Sequence, residues 1–99
     1  PRAEPRFLAL LLDTLVEDPY PAVRAIAAQA LAARVAVSQP VAAETLRTTY
    51  DATARRSQRA ALVDALRVQL AVPALAPHEN ALVAELRARA AHVAIAIGE

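Results

Sequence analysis

The chain has 99 residues, enough for one domain with a single core. Its residues are 57% apolar, but 27 are alanine and only one is glycine, a composition that favours helices over a turn-rich β architecture. The formal net charge of +1 is too even to indicate a polyanionic partner by itself, and the lack of cysteine excludes disulfides, cysteine-ligated zinc and covalent haem attachment.

Two predicted helices and a proline corner occupy the first 38 residues. The first helix is predicted from about Pro5 to Glu17, because leucines recur at helical spacing. These leucines are Leu8, Leu11, Leu12 and Leu15. The second helix is predicted to begin at Pro21, since proline suits a first turn, and to end near Ser38 before Pro40. Its apolar positions are Val23, Ile26, Ala27, Ala30 and Leu31.

The middle of the chain has less definite borders. Residues 41–48 could form a short helix, although the threonines that follow are neutral or favour strands. Asp51 is predicted to cap a third long helix that runs to about Ala71. The predicted buried stripe of this helix is Leu62, Val63, Leu66 and Leu70.

A fourth long helix is predicted from about His78 to Ala91. Its predicted inward side chains are Leu82, Val83, Leu86 and Ala90. Residues 93–97 alternate large and small apolar side chains, which fits either an extended, packed tail or the frayed end of the helix. The predicted fold class is therefore all-α, with antiparallel helical hairpins of three to four main helices in one domain, 1–99.

The corner between the first two helices carries a family resemblance. Asp18 is followed at plus five and plus six by Val23 and Arg24, with two prolines between them. The pattern continues into the second helix at Ala27, Ala30 and Leu31. Over residues 5–38 this arrangement resembles a HEAT repeat of the bacterial type. The resemblance implies an α-solenoid in which Asp18 and Arg24 form a structural pair that bonds to neighbouring repeats or to the turn.

The rest of the chain departs from that pattern. Tyr20 stands where the family usually has a capping residue, and its side chain cannot accept first-turn N–H bonds as a carboxylate would. No second copy of the Asp to Val-Arg pattern is evident, so residues 41–99 are interpreted as a degenerate repeat or a C-terminal cap of a HEAT-like solenoid fragment.

Common catalytic and metal motifs are not found in the sequence. His78 and Glu79 begin like a zinc-protease helix, but the position that needs the second histidine is Leu82. The pair of carboxylates at Glu17 and Asp18 ends a helix beside the corner, where a structural role is favoured over acid-base chemistry. We therefore expect no enzyme activity, no cofactor and no metal site.

One charge cluster points toward a partner. Arg55, Arg56 and Arg59 crowd the predicted start of the third helix, where the helix dipole disfavours cations. The cluster could contact an anion supplied by an acidic protein or a phosphate backbone, whereas a plain solvated face is the simpler interpretation.

Two function classes follow from these features. The first is a non-catalytic scaffold that binds another protein or another domain of its own polypeptide, as the C-terminal part of a larger bacterial protein. The alternative is a nucleic-acid-binding HEAT-like domain that uses the arginine cluster. HEAT units with a similar corner look like those appended to multihaem cytochromes and rhomboid-type proteases, but the reactive segments of such proteins are not in these residues. No apolar run approaches the roughly 18 residues of a membrane span.

Overall fold

The structure, a computed structural model, describes residues 4–96, with side chains for residues 5–76 and 78–88. This part of the chain folds into five helices and contains no strand. The helices are α1 (Glu4–Glu17), α2 (Pro21–Val35), α3 (Pro40–Thr48), α4 (Arg56–Leu70) and α5 (Pro77–Ala96). The predicted all-α fold of antiparallel hairpins is therefore confirmed, with four long helices and the short α3.

Prolines mark three of the helix starts. Pro21, Pro40 and Pro77 each open a helix, where the missing N–H costs no internal bond. The hairpin of α1 and α2 and the short helix after Pro40 are confirmed, although α2 ends at Val35 and not near Ser38. Four residues, the turn at 36–38 and Gln39, therefore separate α2 from the next helix.

The predicted start of the third long helix is wrong. The Asp51 carboxylate accepts the backbone N–H of Thr53 at 2.9 Å and its hydroxyl at 2.7 Å, so it closes a local turn. The helix begins later, at Arg56. It ends at Leu70, before Ala71, close to the predicted position.

The buried stripes of α1 and α4 are confirmed. Leu12 and Leu15 of α1 are completely buried, and Leu8 and Leu11 pack partly buried against them. In α4 the same pattern holds for the residues predicted to be inside. Val63 and Leu66 are buried, and Leu62 and Leu70 are partly buried against the core.

Helix α2 is rotated from the orientation that its large apolar residues suggest. Its buried residues are Arg24, Ala27, Ala28, Leu31, Ala32 and Val35. Val23 is 41% exposed, Ile26 is 65% exposed and Ala30 is also exposed. Because alanine makes this helix apolar on nearly every side, its sequence periodicity does not define one inward face.

Helix α5 differs from its prediction in two ways. Helix α5 continues through Ala96, so the prediction of an extended, packed tail is wrong for residues 93–96. Ile97, the last residue of that predicted tail, lies outside the described residues. Val83 packs against the core as predicted, but Leu82 is 57% and Leu86 is 59% exposed. The side chain predicted inward at residue 90 lies outside the described side chains.

The helix contacts place α1 at the centre of the described part of the chain. Helix α1 packs against α2 and α4, α2 packs against α3, and α3 touches α4 over a smaller region. This order runs around a ring, as in an up-and-down bundle. A stack of hairpins would instead bring α3 against α1 and α4 against α2, so the arrangement is closer to a bundle than to an open solenoid.

Two ion pairs give the direction of α5. Near the start of both helices, the Arg6 side chain lies 2.7 Å from the Glu79 carboxylate. About two turns further along both helices, the Arg87 side chain lies 2.7 Å from the Asp13 carboxylate. Contacts that advance together along both helices mean that α5 runs parallel to α1. Helix α5 therefore lies along the part of α1 that α2 and α4 leave open.

Candidate functional site

The predicted pair of Asp18 and Arg24 meets through the main chain. Arg24, which is only 7% exposed, donates from Nη1 to the carbonyl oxygen of Asp18 at 2.6 Å. The Asp18 carboxylate instead accepts the backbone N–H of Tyr20 at 3.0 Å. Since the Tyr20 side chain makes no capping bond to α2, the carboxylate of Asp18 closes the corner itself.

Arg24 also reaches the second corner of the fold. Its Nε and Nη2 atoms donate to the carbonyl oxygen of Ala52, at 2.9 and 2.6 Å. Ala52 lies between α3 and α4, so one guanidinium joins the α1–α2 corner to the α3–α4 corner. The planar fork of arginine suits this bridging because it presents several donors in fixed directions.

Arg59 fills the matching role from α4. This residue is 8% exposed and donates to the carbonyl oxygens of Leu15 at 3.1 Å and Val16 at 2.7 Å, and to that of Ala54. Leu15 and Val16 lie in the last turn of α1, where carbonyls have no partner within the helix. The positive charge of Arg59 also interacts favourably with the negative, C-terminal end of the α1 helix dipole.

Tyr50 completes the cap of α1. Its hydroxyl donates to the carbonyl oxygen of Leu15 at 2.7 Å. Burial raises the pKa of this hydroxyl, and the nearby charges of Arg59 and Arg24 act in the opposite direction. The phenol and the two guanidinium groups together satisfy the main-chain oxygens at which both corners meet.

The three predicted partner-contact arginines therefore do not form one surface. Arg59 is buried in the cap, and Arg56 forms a two-pronged bond with the Glu17 carboxylate at 2.9 and 2.6 Å. This hydrogen bond from Arg56 holds the pKa of the Glu17 carboxyl below its usual value. Arg55 is exposed, just before α4 begins. Arg56 and Arg59 lie together at the start of α4 because both bond to groups at the C-terminal end of α1.

Arg24 and Arg59 occupy equivalent positions in two helices. Each is the fourth residue of its helix, and each is followed at plus four and plus seven by buried apolar residues. Those residues are Ala28 and Leu31 in α2, and Val63 and Leu66 in α4. Sequence analysis missed this shared spacing because the second corner is longer and has no Val-Arg pair. The signal that could have revealed it is the shared spacing from arginine to the buried positions.

A third arginine, which sequence analysis missed, joins α5 to α1. Arg87 donates to the Asp13 carboxylate at 2.7 Å and to the Thr14 hydroxyl at 2.8 Å. Its Nε atom also lies 3.8 Å from the Asp18 carboxylate. Asp13 is 7% exposed, so this is a largely buried ion pair between α1 and α5. An open groove of about 420 Å³ lies beside it.

The polar side chains of the two corners form their hydrogen bonds with other groups of the same chain. Arg24, Arg59 and Arg87 each donate hydrogen bonds to oxygen atoms of the chain. The part of the chain that the structure describes contains no cluster of three side chains able to hold a metal ion. His78 is exposed, and His92 lies outside the described side chains.

Comparisons with protein-family models, with curated proteins and with solved structures found no match to this chain. Among the described residues, no helix has both the length and the apolar character needed to cross a membrane.

Proposed function

We propose that this chain is a non-catalytic helical domain that binds another protein or another domain of the same polypeptide. In this proposal residues 5–38 act as a HEAT-like hairpin, a scaffold element of a larger bacterial protein. The corner arginines hold the hairpins in a fixed relation, and the outer helix faces make the contact.

The observation that carries this proposal is the uncovered apolar row of α5. Leu82 and Leu86 lie one helical turn apart and are 57% and 59% exposed. Val83, between them in sequence, packs against the core, so α5 is apolar toward α1 and also on a second side. A helix with two apolar sides is usually covered on both, and such exposed rows mark interaction sites.

The contacts of the three clustered arginines, Arg55, Arg56 and Arg59, argue against the nucleic-acid alternative. Phosphate binding needs side chains that can reach a backbone outside the protein. Arg59 is buried among carbonyl oxygens, and Arg56 is engaged by Glu17. Of the three residues only Arg55 presents an exposed side chain without a described bond to a carboxylate.

Site-specific photo-crosslinking in the source cell tests the proposal. A photoreactive residue at Leu86 should form covalent adducts with a protein or a further domain, and Leu82→Ser should weaken them. The same residue at Val68, which is 82% exposed on α4, is the matched control and should give few adducts. Equal adducts at both positions, or salt-sensitive retention on a DNA column that Arg55→Gln abolishes, would overturn the proposal.

A further inference from the structure

The side of α5 that lies on α1 is mainly charged. Among the described side chains of this helix, the partly buried ones are Glu79, Val83 and Arg87, each four residues after the one before. Glu79 pairs with Arg6, and Arg87 pairs with Asp13. Val83 is therefore the apolar member of a face that otherwise contacts α1 through ion pairs.

The apolar core lies outside the described side chains of α5. In the part of the chain that the structure describes, its buried members belong to α1–α4 and to Val72 and Leu75 of the connection after α4. Val72 is 4% and Leu75 is 7% exposed, so the core anchors the connection as far as Leu75. Helices α1–α4 thus bury their apolar sides against one another without a buried side chain from residues 78–88.

Two open grooves lie along the contact of α5 with α1. One, of about 380 Å³, is lined by Arg6 and Glu79 near the starts of both helices. The other, of about 420 Å³, is lined by Asp13 and Arg87 further along. Because a close-packed contact would fill this space with side-chain atoms, dispersion contributes little to the docking of α5.

A buried ion pair holds the two helices together less firmly than a packed apolar pair would. The side chains of Arg87 and Asp13 are 16% and 10% exposed, so docking removes both charges from water. The cost of that desolvation offsets much of their attraction. When α5 leaves α1, both groups regain their hydration. The docked and released positions are therefore close in free energy.

The start of α5 can turn without losing its cap. The Glu79 carboxylate accepts the backbone N–H of Ala76 at 3.2 Å, and the N–H of Asn80 bonds to the carbonyl of Ala76 at 2.9 Å. These bonds are local and move with the helix. Since Leu75 is buried in the core, the pivot lies at Ala76, between the anchored connection and the helix.

Release completes an apolar stripe on α5. Leu82, Leu86 and Val83 together span about 100° of the helix circumference, the width with which a helix usually packs on a neighbour. In the docked position Val83 packs on the core, while Leu82 and Leu86 remain exposed. A partner that covers the whole stripe therefore requires α5 in its released position.

We propose that α5 is a releasable arm. It turns away from α1 as one unit about Ala76 while α1–α4 stay folded, and the partner binds the released stripe. The last step rests on the proposed protein-binding function. The pair of Arg87 and Asp13 keeps the docking reversible, because it fixes the position of α5 without making the contact tight.

Amide hydrogen exchange of the full chain, followed residue by residue by NMR, tests the release. The amides of residues 81–88 should share one protection factor that is at least about tenfold below that of α1, as expected for a unit that opens separately. Protection that falls steadily toward the C-terminal end of α5 would mean fraying. Exchange of α5 at the same rate as α1 would mean that it opens only with the whole fold. Either result would overturn the proposal.

An apolar replacement of the ion pair should lock the arm. Asp13→Leu combined with Arg87→Met exchanges two buried charges for side chains that pack, and should slow exchange in α5 about tenfold. Glu17→Leu with Arg56→Met makes the same change in the exposed pair of α1 with α4, and should leave exchange in α5 within about twofold of the parent chain. The amides of α1–α4 in the same spectra verify that each variant folds. Exchange in α5 that the first replacement does not slow would overturn the role of the ion pair.

The locked variant also tests how the partner binds. Crosslinks from a photoreactive residue at Leu86 should fall about tenfold in it, because the partner then has fewer released helices to bind. Unchanged crosslinks from a chain whose α5 is locked would overturn binding to the released arm, and the protein-binding function would stand. An absence of crosslinks in the parent chain would overturn the proposed function instead, while hydrogen exchange still decides whether α5 opens.

Discussion

At the scale of single residues, the corner bonds separate the effects of Asp18 and Arg24. Arg24 uses the main-chain carbonyl of Asp18, which Asp18→Ala leaves in place. We expect Arg24→Ala to lower the free energy of unfolding by about 3 kcal/mol, since it removes charge-assisted bonds to two partly buried carbonyls. Asp18→Ala should cost about 1 kcal/mol, the scale of its bond to Tyr20.

Urea denaturation of the two variants measures the difference. Arg55→Gln, at an exposed position in the α3–α4 corner, is the control and should change stability by less than about 0.5 kcal/mol. Equal losses for the two corner variants would mean that the carboxylate of Asp18, and not its carbonyl, is what Arg24 requires.

Tyr50 gives the protein a pH dependence on the alkaline side. Burial raises the pKa of its hydroxyl above the usual value of about 10. As pH rises through about 10 the unfolded chain loses this proton while the folded chain keeps it, so stability present at neutral pH is lost. The sequence has neither lysine nor cysteine, so the side chains that titrate in this range are the two tyrosines.

Tyr50→Phe should therefore flatten the loss of stability above pH 10. At neutral pH the same variant should be less stable by about 1 kcal/mol, because the carbonyl of Leu15 loses its phenol donor. Denaturation between pH 7 and about 11, with tyrosinate absorbance as a second signal, checks both effects. Tyr20→Phe is the control for tyrosine ionisation as such. An unchanged alkaline slope in the Tyr50 variant would contradict the burial argument.

At the scale of secondary-structure elements, α4 ends in a strained way. Ala71 adopts a left-handed conformation with φ of 55°, which is unfavourable for a residue with a Cβ atom. The backbone N–H of Val72 bonds to the carbonyl of Arg67 at 3.0 Å, and that of Ala71 bonds to Val68 at 3.2 Å. This is the bonding of a Schellman cap, in which glycine is usual.

Ala71→Gly should stabilise the domain by about 0.5 kcal/mol, because the relief of the left-handed conformation exceeds the added chain entropy. Ala65→Gly, at an exposed position inside the same helix, should instead destabilise it by about 1 kcal/mol. Thermal unfolding of the two variants compares them directly. A loss of stability in both would show that the left-handed position carries no strain.

At the scale of the whole molecule, Arg87 decides whether α5 stays on α1. Its removal leaves the carboxylate of Asp13 buried without its counter-ion, and a broken pair of this kind costs about 3 kcal/mol. We expect Arg87→Gln to speed hydrogen exchange in α5 more than in α2. Adding Asp13→Asn should recover part of the loss, since it removes the unpaired charge.

The pair of Arg6 and Glu79 is the control for this prediction. The Arg6 side chain is 74% exposed, so Arg6→Gln should cost less than about 0.5 kcal/mol although it also joins α1 to α5. Additive effects of Arg87→Gln and Asp13→Asn would mean that the two side chains do not stabilise the fold as a pair.

The amino-acid sequence by itself determined the helical class and most helix borders. Pro21 set the start of α2, and the leucine stripe of α1 defined its buried face, because local chain geometry and a clear contrast between apolar and polar sides need no tertiary partner. The turn at Asp51 was predicted wrongly because aspartate closes turns and caps helices by the same bond.

Only the tertiary structure decided how the helices face one another and what the arginines do. Helices α2 and α5 are apolar on several sides, so spacing could not tell which side α1 would cover, and Ile26 and Leu86 stayed outside. Arg24 and Arg59 bind main-chain carbonyls far away in sequence, and every residue type carries such a carbonyl. A sequence therefore shows the donor, while the folded chain alone shows which oxygen lies within its reach.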